Sequence, residues 1–525
     1  MSALLIGEIL SLVMFAAVIA ALMAGYPVVF TLAGTGFAFG LIGHWLGAFD
    51  LSYFNALPLR YWGILNNDVL IAVPLFIFMG VMLERSGIAE DLLATLGELF
   101  GPLHGGLGFA VILVGTLLAA STGIVGATVT TMALISLPVM LRTGYDRRLS
   151  SGLICATGSL AQLVPPSTVL VFLAVIMQTA NSQVQLAKGN FVPSTLSVGD
   201  LFAGAFLPGL LLALLYTLWL IAVIVMRPHA APPTVKTRAP GLFRKMVVAL
   251  APTLLLIASV LGSIIAGIAT PTEAASVGAL GAILLTMVRL IGHTLARRFA
   301  PEQVERVLFW YWTGSVIALI VLAYTTQAIG VLTGAVVLTL GAAIFILFHR
   351  GIRPDFIRIL TDVSRQALNL TVMVFVIFLG ATVFSLVFAR LGGEAIVGEF
   401  LAAMPGGAHG AVFVVMVVVF VLGMFLDTFE ILFIVVPIAA PVLLHMDVDP
   451  VWLSIMMAIN LQTSYLTPPF GFSLFFLRGV APPELRTGEI YRGVLPFVGL
   501  QVVCLAMLWM YPQLATWLPG VIYGR

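Results

Sequence analysis

The sequence predicts an all-α polytopic membrane protein, arranged as an inverted repeat with two re-entrant helical hairpins and two broken helices. Three observations predict it. The chain has 525 residues, of which 61% are hydrophobic and 9% charged, where a soluble domain carries about 25% charged residues. Lys and Arg gather in alternate loops. Two apolar segments are interrupted by proline pairs, Pro165-Pro166 and Pro468-Pro469.

Apolar runs of about 20 residues span a bilayer as helices. They fall at 4–24, 27–47, 70–84 (short, as in tilted or arm-like helices), 200–226, 246–267, 273–291, 308–327, 329–348, 367–389 and 493–517. The first lacks a basic leader and a small-residue cleavage site, so it reads as a retained span. Cys155 and Cys504 lie in apolar stretches and read as buried hydrophobes. The seven histidines show no ligand spacing. There is no Walker lysine loop, no nucleophile with a base, and no nucleic-acid motif, which argues against an ATPase, an enzyme or a nucleic-acid binder.

Basic residues orient the spans. Clusters at Arg142 to Arg148, Arg227 to Lys245, Arg289 to Arg306, Arg350 to Arg365 and Arg478 to Arg492 mark cytoplasmic loops, whereas 179–199, 268–272 and 445–450 carry almost no positive charge. The alternation closes only if 107–141 and 410–444 each enter and leave on one side. These are therefore predicted hairpins, the first opening to the cytoplasm and the second to the opposite face. Their middles are Ala119-Ala120-Ser121-Thr122-Gly123 and Gly423-Met424-Phe425-Leu426-Asp427-Thr428. Small or polar residues suit a tip held inside protein, because bare backbone cannot face lipid.

Each hairpin is followed by a short polar loop and an interrupted helix, 150–178 and 451–477. Pro138 precedes Pro165 by 27 residues, and Pro441 precedes Pro468 by 27. Together with the opposed loop charges, this spacing predicts an inverted repeat of the kind found in secondary transporters. A proline pair removes a helical hydrogen bond and frees carbonyls. The carbonyls and hydroxyls of Ser159, Ala161, Val164, Pro166 and Ser167, and of Thr463, Ser464, Thr467 and Pro469, are oxygen ligands suited to Na⁺. Half-helix N-termini at the same places suit an anionic group. Gln162, Gln462 and Asn460 flank the breaks and either bind substrate or brace the backbone. Asp427 and Glu430 are acids deep in a hairpin, so Asp427 either couples transport to an ion or proton or caps the following half-helix. Glu273, after Thr270-Pro271-Thr272, reads first as a helix N-terminus. Substrate contacts are expected at Ser121, Gly123, Gln162, Ser167, Asp427, Ser464 and Pro468.

Several segments resemble the large membrane subunit (DctM-like) of TRAP, or tripartite ATP-independent periplasmic, transporters: Pro74-Leu75-Phe76-Ile77-Phe78-Met79-Gly80, Ser86-Gly87-Ile88-Ala89-Glu90, Gly101-Pro102-Leu103-His104-Gly105-Gly106-Leu107, Gly144-Tyr145-Asp146, Pro165-Pro166-Ser167, Thr270-Pro271-Thr272-Glu273-Ala274-Ala275 and Leu466-Thr467-Pro468-Pro469-Phe470-Gly471. Their order over about 70–480 carries the resemblance. It implies an elevator-type, Na⁺-driven importer of organic acids in the bacterial inner membrane. Such a chain works with a DctQ-like small membrane subunit and a periplasmic substrate-binding protein, and needs no cofactor beyond Na⁺ as coupling ion. Family sodium sites carried onto this chain fall on Thr122 with Ala161, Val164 and Pro166, and on Gly423 with Thr463 and Thr467. This chain departs from the family at Thr122-Gly123-Ile124 (usually Ser-Gly-Ser) and Ala161-Gln162 (usually Gly-Pro), and an extra pair of spans, 308–348, resembles the longer mannitol/chloroaromatic subfamily.

The expected domains are 1–106 (N-terminal spans and arm helix, scaffold), 107–178 (transport), 179–245 (scaffold span and basic linker), 246–409 (second-half scaffold), 410–477 (transport) and 478–525 (C-terminal span). The alternative functions are a self-sufficient dicarboxylate or anion carrier on the same hairpin plan, and a passive channel.

Overall fold

The computed structural model describes residues 3–191, 195–234, 242–296 and 352–524. The expected extra spans at 308–348 lie outside the described residues. The described elements are helical throughout. The first ten helices are α1 Ala3–Met23, α2 Val28–Trp45, α3 Leu57–Leu65, α4 Asp68–Arg85, α5 Ile88–Phe100, α6 Gly106–Thr122, α7 Val125–Arg142, α8 Arg147–Ser159, α9 Thr168–Ala187 and α10 Val198–Met226. The next ten are α11 Leu242–Ile265, α12 Pro271–Ala296, α13 Arg353–Arg390, α14 Gly393–Ala402, α15 Gly407–Gly423, α16 Thr428–His445, α17 Pro450–Leu466, α18 Phe472–Val480, α19 Thr487–Met510 and α20 Gln513–Tyr523. Among the described residues nine helices are long and apolar enough to cross a membrane.

Local sequence explains why the two halves start and stop alike. Both hairpins begin after a glycine in the left-handed region, Gly105 (φ 74°) and Gly406 (φ 92°), where a side chain would be strained. Both broken helices begin at an aspartate N-cap. Asp146 accepts from Arg148 N at 2.9 Å and Leu149 N at 3.0 Å, and Asp449 accepts from Trp452 N at 2.8 Å with Pro450 in the first helical position. The expected N-terminus at Glu273 is a capping box, its carboxylate accepting from Thr270 N at 2.8 Å.

Packing shows the inverted repeat directly. The long helix of one half lies against a span of the other: α4 on α12, and α13 on α2. The half-helix after each break packs on the second arm of the opposite hairpin, α9 on α16 and α18 on α7. In the first pair Phe172 meets Phe433 edge-on at 5.2 Å and Phe429 at 5.8 Å. In the second, a Cβ on Gly126 would lie 2.7 Å from the Phe476 ring, so glycine is what lets the ring in. Helix α19 lies against α8 at a glycine contact: a Cβ on Gly152 would sit 2.1 Å from Gly493 O, and one on Gly493 would sit 2.2 Å from Arg148 O.

Three boundaries differ from the sequence reading. The expected span 493–517 is two helices, because Pro512 cannot continue α19 and Tyr511 leaves helical geometry at φ −128°, ψ 76°. The span expected at 367–389 is the apolar end of the 38-residue α13, whose first half carries Arg353, Arg358, Asp362 and Arg365 and so scores as polar. The short span 70–84 is α4, joined to α3 at a bend of 55°.

Candidate functional site: hairpin tips against helix breaks

The two expected hairpins and two expected broken helices are present, and each tip rests on the break of its own half. In the first half Gly123 turns the chain at φ 59°. A Cβ there would lie 3.0 Å from Thr168 N and 3.5 Å from Pro166 O, and Thr168 Oγ1 donates to Gly123 O at 2.9 Å. The break itself runs from the 3₁₀ turn Leu160–Gln162 to Ser167. Ser167 closes it by donating to Gln162 O at 2.8 Å. The carbonyls of Ala161, Val164 and Pro166 take no part in the backbone hydrogen bonds of the turns, loops and caps. The side chains of Ser121 and Thr122 lie outside the described residues.

In the second half the contact is tighter. A Cβ on Gly423 would fall 2.1 Å from Ser464 Oγ. Ser464 donates to Leu461 O at 2.8 Å, Thr463 to Ile459 O at 2.7 Å and Thr467 to Thr463 O at 2.7 Å. Pro468 is half-buried, while Pro469 and Phe470 are exposed. Both proline pairs are joined by cis peptides.

Asp427 is the N-cap of α16 in a capping box with Glu430, whose Oε2 accepts from Asp427 N at 3.2 Å. The capping role weighed from sequence is thus real, yet it is not the whole of it. Tyr465, from the second broken helix, donates its hydroxyl to Asp427 Oδ1. Gln162, from the first broken helix, donates from Nε2 to Thr428 Oγ1 at 2.6 Å. The second tip is therefore held by side chains from both breaks, and Gln162 bridges the two halves.

Gln462 and Asn460 act as braces. Asn460 Nδ2 donates to Met416 O at 2.7 Å, tying α17 to the second hairpin. Gln462 Nε2 lies 3.4 Å from Ser159 Oγ and 3.5 Å from Tyr216 OH, and Gln501 Nε2 donates to Tyr216 OH at 2.7 Å. All four residues are fully buried. Ser159 and Gln462 are 303 residues apart, the same offset as Pro165 and Pro468, so equivalent positions of the two halves meet here.

Sequence reasoning missed Tyr465, Thr428, Tyr216 and Gln501. Two signals pointed to two of them, Tyr465 and Gln501. The 303-residue offset places Tyr465 on Gln162, and Gln501 is an amide alone in an apolar span, which is costly in lipid.

The chain matches the family model described as "Tripartite ATP-independent periplasmic transporter, DctM component" over residues 15–344 and 292–514. It is 26% identical over 516 residues to the C4-dicarboxylate TRAP transporter large permease protein DctM of Rhodobacter capsulatus, covering 98% of this chain and 99% of that protein. It is 25% identical to the sialic acid TRAP transporter large permease protein SiaM of Vibrio cholerae, covering 96% and 97%. Among solved structures it is similar to the YdaH transporter of Alcanivorax borkumensis, with a TM-score of 0.52, 14% identity and coverage of 88% and 89%. That likeness concerns the fold. The mannitol/chloroaromatic subfamily suggested by the extra spans has no support in these relatives, whose named substrates are a C4-dicarboxylate and sialic acid. Added spans change length, and length alone does not specify a substrate.

Proposed function

The chain belongs to the DctM-component family of tripartite ATP-independent periplasmic transporters, and from that premise we propose that it is the large permease subunit of a Na⁺-coupled importer of small organic acids in the bacterial inner membrane. It is a transporter and not an enzyme. Its partners are a small membrane subunit and a periplasmic binding protein that delivers the acid. The single observation that carries this reading is the crosswise packing of two broken helices and two hairpins. Each tip rests on the break of its own half, and the half-helix after each break packs on the second arm of the opposite hairpin.

The residues fit the coupling ion. Na⁺ is a hard cation that takes oxygen ligands, and each break offers oxygens that backbone pairing leaves open. The first site is assigned to the carbonyls of Ala161, Val164 and Pro166 beside the tip that carries Thr122. The second is assigned to Gly423 with Thr463 and Thr467, and the two threonine hydroxyl oxygens keep lone pairs after donating. Helices α9 and α18 begin beside the breaks without side-chain caps. Their free N–H groups suit a carboxylate, with Ser167, Ser464 and Pro468 alongside. Ions bound at both breaks stiffen the tips around the acid, and the tips, broken helices and acid then move together as an elevator against α2, α4, α12 and α13.

Uptake into proteoliposomes containing this chain and its small subunit, with the binding protein outside, tests the proposal. A Na⁺ gradient should drive accumulation of the acid. Accumulation that persists without the binding protein would point to a self-sufficient carrier, and flux indifferent to any ion gradient would point to a channel.

A further inference from the structure

The second tip contains a directional chain of hydrogen bonds. Asp427, as a carboxylate, only accepts. Tyr465 donates to it, the Thr428 hydroxyl engages Tyr465, and Gln162 Nε2 donates to Thr428 Oγ1 at 2.6 Å. Because every proton in the chain points towards Asp427, the Gln162 amide presents its NH₂ to Thr428. Its Oε1 is then the free end. That oxygen is buried on a residue 2% exposed, and it has no hydrogen-bond partner. A buried acceptor left unpaired costs about 1–3 kcal/mol, so a donor is wanted there.

The surrounding charge sharpens the point. Among the described residues no lysine, arginine or histidine is buried, whereas Glu430 is. The charged group acting on Glu430 is Asp427, another acid, and Asp427 itself is met by Tyr465 and backbone N–H groups rather than by a cation. A substrate bearing carboxylates alone would bring negative charge to an acid-lined tip and still leave Gln162 Oε1 without a donor. We propose that the transported acid carries a hydroxyl or ammonium group beside its carboxylate, and that the Gln162 side-chain carbonyl selects it. This rests on the transporter reading above and deepens it. The uncapped N-termini of α9 and α18 take the carboxylate, while Gln162 and Asp427 face the donor.

Succinate, malate and aspartate share one carbon skeleton and differ at one position by hydrogen, hydroxyl or ammonium. Binding of each to the purified full chain, measured at fixed Na⁺ by thermal unfolding and by calorimetry, tests the idea. Malate or aspartate should bind at least about tenfold more tightly than succinate, and Gln162→Leu should erase the difference. Equal binding of all three, binding of none, or a preference that survives Gln162→Leu would each overturn the proposal. Should Gln162→Leu fail to fold, Gln162→Glu keeps an acceptor and adds charge. It should raise the preference for aspartate over malate, and an unchanged ratio would count against Gln162. The two readings fail separately. Na⁺-driven uptake of succinate but not malate or aspartate would remove this selection and leave the transporter standing, whereas no ion-driven uptake of any acid with both partners present would remove the transporter reading itself.

Discussion

The two helix breaks occupy equivalent places in the repeat, yet they are finished differently. The first is buried through Pro165, Pro166 and Ser167, and its tip turns on a left-handed glycine whose carbonyl is held by Thr168. The second is half-open at Thr467 and Pro468, exposed at Pro469, and its tip turns on an aspartate cap held by Tyr465. A glycine turn fixes backbone direction and adds no charge. An aspartate cap fixes the same direction and adds an acid that can meet a ligand. One scaffold thus supplies a buried break with an uncharged tip and a half-open break whose tip carries an acid, and the asymmetry lies in a handful of side chains rather than in the backbone plan.

That difference can be broken at its tightest point. Gly423→Ala places a methyl 2.1 Å from Ser464 Oγ, and should abolish uptake while lowering stability by about 1–3 kcal/mol through overpacking. Gly123→Ala meets nothing closer than 3.0 Å but must hold φ 59°, a left-handed position costing about 1–2 kcal/mol. It should weaken uptake less than Gly423→Ala. Equal loss at the two tips would show that the breaks are not inequivalent in this way.

The acid of the second break is tested next. Tyr465→Phe removes the donor to Asp427 and leaves the ring stacked on Phe472 at 5.1 Å. Uptake should fall by about tenfold, as for a lost hydrogen bond to a charged group, with membrane expression unchanged by quantitative immunoblot. Thr467→Val should follow with a smaller effect. It raises the Na⁺ concentration for half-maximal uptake without changing the amount of folded protein, and an unchanged Na⁺ dependence would make Thr467 a purely structural cap.

The smallest effect concerns the contact that ties the first broken helix to the second hairpin outside the membrane. Lys188 Nζ lies 2.5 Å from Asp447, which adopts φ 60°. The hydrogen bond from Lys188 and its charge hold the Asp447 carboxyl below its ordinary value of 3.8. A lowered folded pKa means that the stabilisation is complete above that ordinary value and is lost as pH falls through the folded one. Asp447→Asn tolerates the left-handed backbone and should give a slightly lower Tm at neutral pH, with the gap to the parent closing in strong acid. A gap that persists unchanged at the acid end would assign the effect to the backbone instead.

Much of the fold was legible because its causes are local. Proline pairs break helices wherever they stand, aspartates at 146 and 449 start them, and the charge alternation allowed only hairpins at 107–141 and 410–444. The observed arms, Gly106–Arg142 and Gly407–His445, differ from these bounds by a few residues. The end of the span predicted at 493–517 was misread because its helix ends at Tyr511, short of an apolar tail that continues past Pro512. The site was less legible. Gln162 and Asp427 were visible as polar residues in apolar surroundings, but Tyr465 looked like one aromatic among many, and nothing local joined it to an aspartate 38 positions earlier.

By itself, then, the sequence determined the solvent, most of the spans among the described residues, the two hairpins, the two breaks and the family, because each follows from composition, from charge placement or from residues close along the chain. The tertiary structure alone decided which partners the breaks would have. It set α9 on the opposite hairpin and α18 on the first, brought Ser159 and Gln462 together from equivalent places, and aimed Gln162 at Thr428 across 266 positions. Such pairings depend on how two halves cross in lipid, where close fit and mutual hydrogen bonding of buried polar groups choose the partner, and that choice is made only when both halves are in place.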